Sequence, residues 1–162
     1  MSEYRFVEKP FLEQLKSLDW NVIEHSDGIP TDPAISLRDN FREVVLKDVF
    51  KQAIKQINKT EDGREWITDA QLEEVYMELI DHPHQNLLEA NKEVLRLLTQ
   101  NTRVAVNELT GEESPVVRLI DFEHPEENHF LAINQFRVDT VGLAKAFIIP
   151  DIVLFINGLP AV

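Results

Sequence analysis

The stretch from Phe147 to Pro160 constrains the fold more than any other part of this 162-residue chain. Pro150 can open a β-strand but cannot sit inside its hydrogen-bonded ladder, Ile152 to Ile156 is an unbroken apolar run, and Asn157-Gly158 is a two-residue hairpin turn signal. Asp151 is therefore a lone carboxylate at the mouth of a buried strand. Read by itself, such a residue is a strand-end group hydrogen-bonded to nearby backbone.

The length fits one domain with a core large enough to need no staples. Cysteine is absent, which excludes disulfides and thiolate metal sites and suits a reducing cytoplasm. No basic region precedes an apolar segment at Met1 to Glu8, and no apolar run is long enough to span a bilayer, so the sequence reads as soluble, without a membrane role. The net charge of −13 argues against tight autonomous DNA binding, which needs clustered Lys and Arg. It is compatible with carboxylates gathered around a metal, and equally with an acidic face that binds protein or mimics DNA.

Along the chain, Val7 to Leu18 puts Phe11, Leu12, Leu15 and Leu18 on one side of a helix, with Pro10 in its first turn. Trp20 to Glu24 reads as a short strand and His25 to Pro33 as a loop. The spacing of Leu37, Phe41, Val44, Val45, Phe50, Ile54 and Ile57 predicts one long helix from Ser36 or Leu37 to about Asn58. On it Lys47, Lys51, Lys55 and Lys59 recur every fourth residue, a stripe that suits phosphate or partner contact, with a solvated outer face as the alternative. The link Asn58 to Asp69 imitates a calcium loop, but its first and third donors are neutral and its last carboxylate is a short Asp, so a helix-to-helix turn is the better reading.

Thr68-Asp69-Ala70-Gln71 has capping-box spacing and opens a helix carrying Leu72, Val75, Tyr76, Leu79 and Ile80; Asp81-His82-Pro83-His84 ends it as a loop. Gln85 to Gln100 forms the next helix. From Arg103 the period changes to two: strands are predicted around Val104 and Val106, over Val116 to Phe122 and over His129 to Val138, ahead of the strand that follows Asp151. His124 and His129 lie among carboxylates in what reads as a solvated loop.

Pro150-Asp151 with its apolar strand, Asn-Gly turn and Leu159-Pro160 resembles the N-terminal domain of the R subunit of type I restriction enzymes. So do Phe41-Arg42-Glu43-Val44-Val45-Leu46-Lys47-Asp48, Leu87-Leu88-Glu89-Ala90-Asn91, Val117-Arg118-Leu119-Ile120-Asp121-Phe122 and Asn134-Gln135-Phe136, so that the similarity covers nearly the whole chain. It implies an α/β fold, a restriction-endonuclease-like mixed sheet flanked by helices, with a helical insertion between the first strand and the main antiparallel strands. It also implies a PD-(D/E)xK nuclease that cleaves double-stranded DNA with Mg2+. Asp151 would bind the metal, and a Glu-x-Lys on the next strand would complete the site. Glu8, on the opening helix, fits the place of a glutamate that faces the metal; its alternative role is to favour the positive helix N-terminus, and Glu43 is a second choice for the same place.

No Glu-x-Lys follows Asp151 before Ala161-Val162, so the chain is expected to be cut just short of that strand and inactive by itself. The family also often has a basic residue just before Pro-Asp, where Ala146-Phe147-Ile148-Ile149 stands here. The resemblance further implies the methyltransferase and specificity subunits as partners, and an ATP-driven motor downstream, since no Gly-x-x-x-x-Gly-Lys-Ser/Thr loop occurs in these residues. The competing expectation is a noncatalytic acidic module, for protein interaction or DNA mimicry, on the same scaffold.

Overall fold

The computed structural model describes residues 4–25, 28–82, 86–140, 142 and 145–161. The chain divides into two compact units, residues 1–50 with 129–162 and residues 51–128.

The first unit is built on a four-stranded mixed sheet in the order β1-β4-β7-β8, where β1 is Asn21–Ile23, β4 Phe130–Asn134, β7 Ile152–Ile156 and β8 Leu159–Pro160. β1 runs parallel to β4, β4 antiparallel to β7, and β7 antiparallel to β8. The unbroken apolar run of β7 follows from cover on both faces. Val153 and Phe155 join Leu131, Ile133, Leu46 and Phe136 on one side. Ile152 and Leu154 pack with Ala132 against Leu12 and Leu15 of α1 (Lys9–Ser17) on the other. This alternation is the two-residue period of a strand. A single turn of π-helix, Tyr4–Glu8, leads into α1.

The predicted hairpin forms with Asn157 at φ 52° and Gly158 at φ 77°, two left-handed residues as the mirror-image turn requires. Gly158 is also needed for close approach. A Cβ there would lie 2.7 Å from the Phe50 backbone nitrogen and 2.8 Å from the Leu46 carbonyl oxygen, while the Gly158 carbonyl accepts from Leu46 N–H at 2.9 Å. β8 pairs with β7 through Phe155 and Ile156, and Ala161 N–H adds a bond to Leu154.

The long helix predicted from residue 36 does not form. Pro33–Ser36 is a short 3-10 turn, Leu37 takes φ 58°, and the helix begins only at Lys47 (α2, Lys47–Ile57). Local side-chain bonds outcompete the helical ladder. The Asn40 side chain accepts from Arg42 N–H at 2.9 Å, and the Glu43 carboxylate accepts from Asp39 N–H at 3.1 Å and from the Asn40 amide at 2.8 Å. Arg38 is buried and donates to Ser36 Oγ, to the Glu43 carbonyl and to the Arg137 carbonyl. Burial pulls its pKa down to about 10 against the opposing pull of Glu43 and Asp139. Its guanidinium lies 3.7 Å from the centre of the Phe136 ring, and that of Arg137 4.5 Å from Phe41.

The strand predicted over His129 to Val138 breaks in two: β4 ends at Asn134, Gln135 turns the chain at φ 51°, and β5 (Val138–Asp139) pairs with β6 (Phe147–Ile148).

The second unit holds most of α2, α3 (Asp69–Ile80), α4 (Leu87–Gln100) and a two-stranded ribbon of β2 (Thr102–Arg103) with β3 (Val116–Val117). The capping box of α3 is present, with Thr68 accepting from Gln71 N–H and the Gln71 side chain accepting from Thr68 N–H. Strands expected to join the main sheet thus form a separate ribbon here, because periodicity identifies a strand and not its neighbours. Asn58 and Arg118 hold the unit together: Asn58 accepts from Arg118 N–H and donates to its carbonyl, both at 2.8 Å, while Arg118 donates to the Ile57 carbonyl. Buried Asp121 accepts from Glu123 N–H and His124 N–H and pairs with Arg118 at 3.1 Å.

Candidate active site

Three consecutive residues at the end of β4 fasten the far ends of the first unit. Asn134, fully buried, accepts from His25 N–H at 2.6 Å and donates to the His25 carbonyl at 3.2 Å, holding the chain that leaves β1. Gln135 N–H donates to the Asp151 carbonyl at 2.8 Å, and Phe136 N–H to the Pro150 carbonyl at 3.1 Å. These bonds continue the β4–β7 ladder past its last pair, Asn134 with Ile152, and so fix the Pro150-Asp151 backbone. Phe136 is buried with its ring against Phe155 and under Arg38.

Asp151 is exposed at the mouth of β7, and among the described residues no side chain pairs with its carboxylate. Glu8 is only 6% exposed. It is the residue before the first turn of α1, yet its side chain makes no capping bond. Instead its carboxylate accepts from the Gln135 side-chain amide at 3.2 Å. Glu8 and Asp151, 143 positions apart in sequence, are thereby bonded to the same residue, one through the Gln135 side chain and the other through its backbone. Gln135 lay inside a predicted strand; the signal that could have singled it out is the polar pair Asn134-Gln135 closing the apolar run of β4.

The donor chemistry at this end of the sheet fits magnesium. Its two carboxylates are hard oxygen donors, and magnesium uses one or two of these while keeping several of its waters. The exposure of Asp151 admits a hydrated ion. Among the described residues no three His, Cys, Asp or Glu side chains gather as a complete metal site. The second-choice glutamate, Glu43, is spent within the Asp39–Glu43 loop.

Burial holds both His25 and His129 below the ordinary histidine pKa, with Arg38 adding to the effect on His25. His84 and Pro83 fall outside the described residues.

Of the lysine stripe, Lys47 belongs to the first unit and Lys51, Lys55 and Lys59 to the second. Lys51 meets Glu73 at 2.6 Å and Lys55 meets Asp69 at 2.8 Å, while Lys59 donates to the Gln56 side chain at 2.7 Å. Lys55 is thereby raised above its ordinary pKa and Asp69 lowered, in each case chiefly by their mutual hydrogen bond. The loop that imitates a calcium site spends its donors elsewhere: Asn58 on Arg118, Asp62 on Thr60 and Arg64, and Asp69 on Lys55.

Among the described residues no helix is long and apolar enough to cross a membrane. Compared with known proteins, the chain is 32% identical over 162 residues to the protein named as the MjaIXP endonuclease subunit of a type I restriction enzyme in Methanocaldococcus jannaschii, covering 99% of this chain and 14% of that protein. It is 27% identical over 156 residues to the type I restriction enzyme HindI endonuclease subunit of Haemophilus influenzae, covering 96% of this chain and again 14% of the relative. The chain thus spans about a seventh of the length of the relatives it matches. The family described as type I restriction enzyme R protein N terminus matches residues 1–162 in full, and the chain belongs to that family.

Proposed function

We propose that these residues supply part of the DNA-cleaving centre of a type I restriction endonuclease subunit, with Asp151 as its metal-binding carboxylate. The observation that carries this reading is the bonding of Asp151 and Glu8 to one residue at an open end of the sheet. Asp151 binds through an exposed carboxylate whose backbone is tied to Gln135 and, through Pro150, to Phe136, so little ordering remains when an ion arrives. Glu8 accepts a proton or holds a water beside the ion from a largely buried position, where its charge acts through less solvent. A bound magnesium would polarise the phosphodiester and make water a stronger nucleophile. A Glu and a Lys of the kind that complete such sites would come from a Glu-x-Lys, which these residues do not contain after Asp151.

The net charge of −13 makes an assembly, rather than this region, the main holder of DNA. Methyltransferase and specificity subunits fit that part, an ATP-driven motor would lie elsewhere in the R protein, and the cytoplasm is the compartment where such an assembly meets DNA. Within the region, Lys47, Lys51, Lys55 and Lys59 are the residues proposed to meet phosphate. The decisive experiment is Asp151→Ala in the assembled enzyme. DNA cleavage should be lost while ATP hydrolysis continues; cleavage at the wild-type rate would overturn the reading. The 162 residues alone should not cut plasmid DNA with magnesium.

A further inference from the structure

We infer that Gln135 is a positioning residue that aims the Glu8 carboxylate at the ion held by Asp151; the inference rests on the reading of Asp151 and Glu8 given above. Three observations carry it. First, Gln135 adopts φ 51°, a left-handed conformation that is strained for a residue with a Cβ and that gathers at functional sites. Second, that conformation ends β4 and releases the side chain from the strand's alternation. Its backbone N–H bonds to Asp151 while its amide bonds to Glu8. Third, the flanking residues are built to hold it: Asn134 is fixed to both polar backbone groups of His25, and Phe136 lies between Phe155 and Arg38.

A largely buried carboxylate is costly unless it accepts hydrogen bonds, so a neutral amide donor both stabilises the Glu8 charge and fixes the direction of its remaining lone pairs. An amide does this without the positive charge of Lys or Arg, which would compete with a cation nearby. Groups that orient a metal site from outside its direct ligands commonly change metal affinity or activity by about 10–100-fold when removed.

The test uses the full R subunit and manganese as a spectroscopic probe, titrated by paramagnetic resonance without DNA, together with the magnesium dependence of cleavage in the assembled enzyme. The informative variant is Gln135→Asn. Asn tolerates the left-handed conformation and keeps the backbone bond to Asp151, but it is one methylene short of Glu8. Measured well below the thermal midpoint, which should fall by a few degrees as buried Glu8 loses its amide partner, manganese binding should weaken by about tenfold and the magnesium requirement for cleavage should rise. Gln135→Glu, which sets a second carboxylate against Glu8, should impair cleavage further. In the Glu8→Ala background, Gln135→Asn should add no further loss, because its effect runs through Glu8. Loss of manganese binding in Asp151→Ala with wild-type binding in Gln135→Asn would overturn the inference alone, as would full additivity with Glu8→Ala. Wild-type binding in Asp151→Ala would overturn the reading of the site beneath it, and the inference with it.

Discussion

The two units differ in what their conspicuous polar side chains hold, although the first also pairs Lys16 with Glu13 and Glu24 and Arg137 with Asp139. In the second, the charged groups that stand out in the sequence are matched within the unit: Lys51 with Glu73, Lys55 with Asp69, Arg118 with Asp121. In the first, Asn134, Gln135 and Arg38 bond mainly to backbone or to one another's neighbours, and Asp151 keeps its carboxylate in solvent. Charge that is paired internally stabilises a scaffold and is masked toward a ligand. Charge held in place through its backbone remains available. The difference supports the proposed placing of the chemistry in the first unit, although the conspicuous lysine pattern lies mostly in the second.

The largest expected effect separates the units by backbone fit. Gly158→Ala would force a Cβ into contact at 2.7 Å with the Phe50 backbone and strain a residue at φ 77°. The first unit should lose at least about 3 kcal/mol of stability, from overpacking plus the left-handed conformation. Gly111→Ala in the second unit has a similar φ of 73° but nothing within 4 Å, and should cost only about 1 kcal/mol. Urea unfolding followed by residue-resolved hydrogen exchange distinguishes the two. Equal losses would show that the close approach at Gly158 relaxes freely.

Acid should next part the units at different pH. Burial pushes the Asp121 carboxyl up, but the His124 N–H, the Arg118 guanidinium and the Glu123 N–H outweigh it and hold the group below its ordinary range. A depressed carboxylate stabilises the fold above its unfolded pKa of about 3.9, and that contribution is lost as pH falls through the folded value. Asp121→Asn should remove about 1.5–3 kcal/mol from the second unit at neutral pH, the range for bonds to a charged group, and flatten its loss of stability below pH about 4. In the first unit, burial lowers the pKa of both His25 and His129, with Arg38 adding to the effect on His25. The unfolded chain then binds more protons than the folded one below pH about 6.5, so stability should fall as pH drops through that point. Hydrogen exchange at pH 7 and pH 5 should show the first unit loosening and the second unchanged. The reverse order would contradict the burial of these rings.

What could be read from the sequence was local. β7 and its turn were readable because an apolar run bounded by Pro150 and Asn157-Gly158 admits few other structures. Residues 37–46 were misread as helix because Leu37, Phe41, Val44 and Val45 have the helical period, while the bonds of Arg38, Asn40 and Glu43 that prevent the helix leave no periodic trace. That β2 and β3 would pair with each other and stay out of the main sheet was unreadable for a different reason: which sheet a pair of strands joins is decided by distant segments. Asp151 and Glu8 could be given roles from resemblance, and Asn134-Gln135-Phe136 is among the resembling segments, but the bonds of Gln135 to both acidic residues show themselves only when β4 stops.

The smallest expected effect concerns the lysines and returns to the matching of charge in the second unit. Lys51 and Lys55 retain 24% and 29% side-chain exposure, and ion pairs this open contribute at most about 1 kcal/mol each. Lys51→Glu with Lys55→Glu should therefore cost the unit little stability beyond the repulsion from Glu73 and Asp69. Each phosphate contact contributes about 0.9 to the slope of log affinity against log salt, so two full contacts would give a change near 2. Because DNA must displace Glu73 and Asp69 to reach these lysines, a smaller change, of about 1, is expected for the full R protein on duplex DNA. An unchanged slope and affinity would show that the two ion pairs are the whole role of Lys51 and Lys55. A change near 2 would instead show that both carboxylates give way to phosphate, and that the internal matching of charge in the second unit yields to DNA.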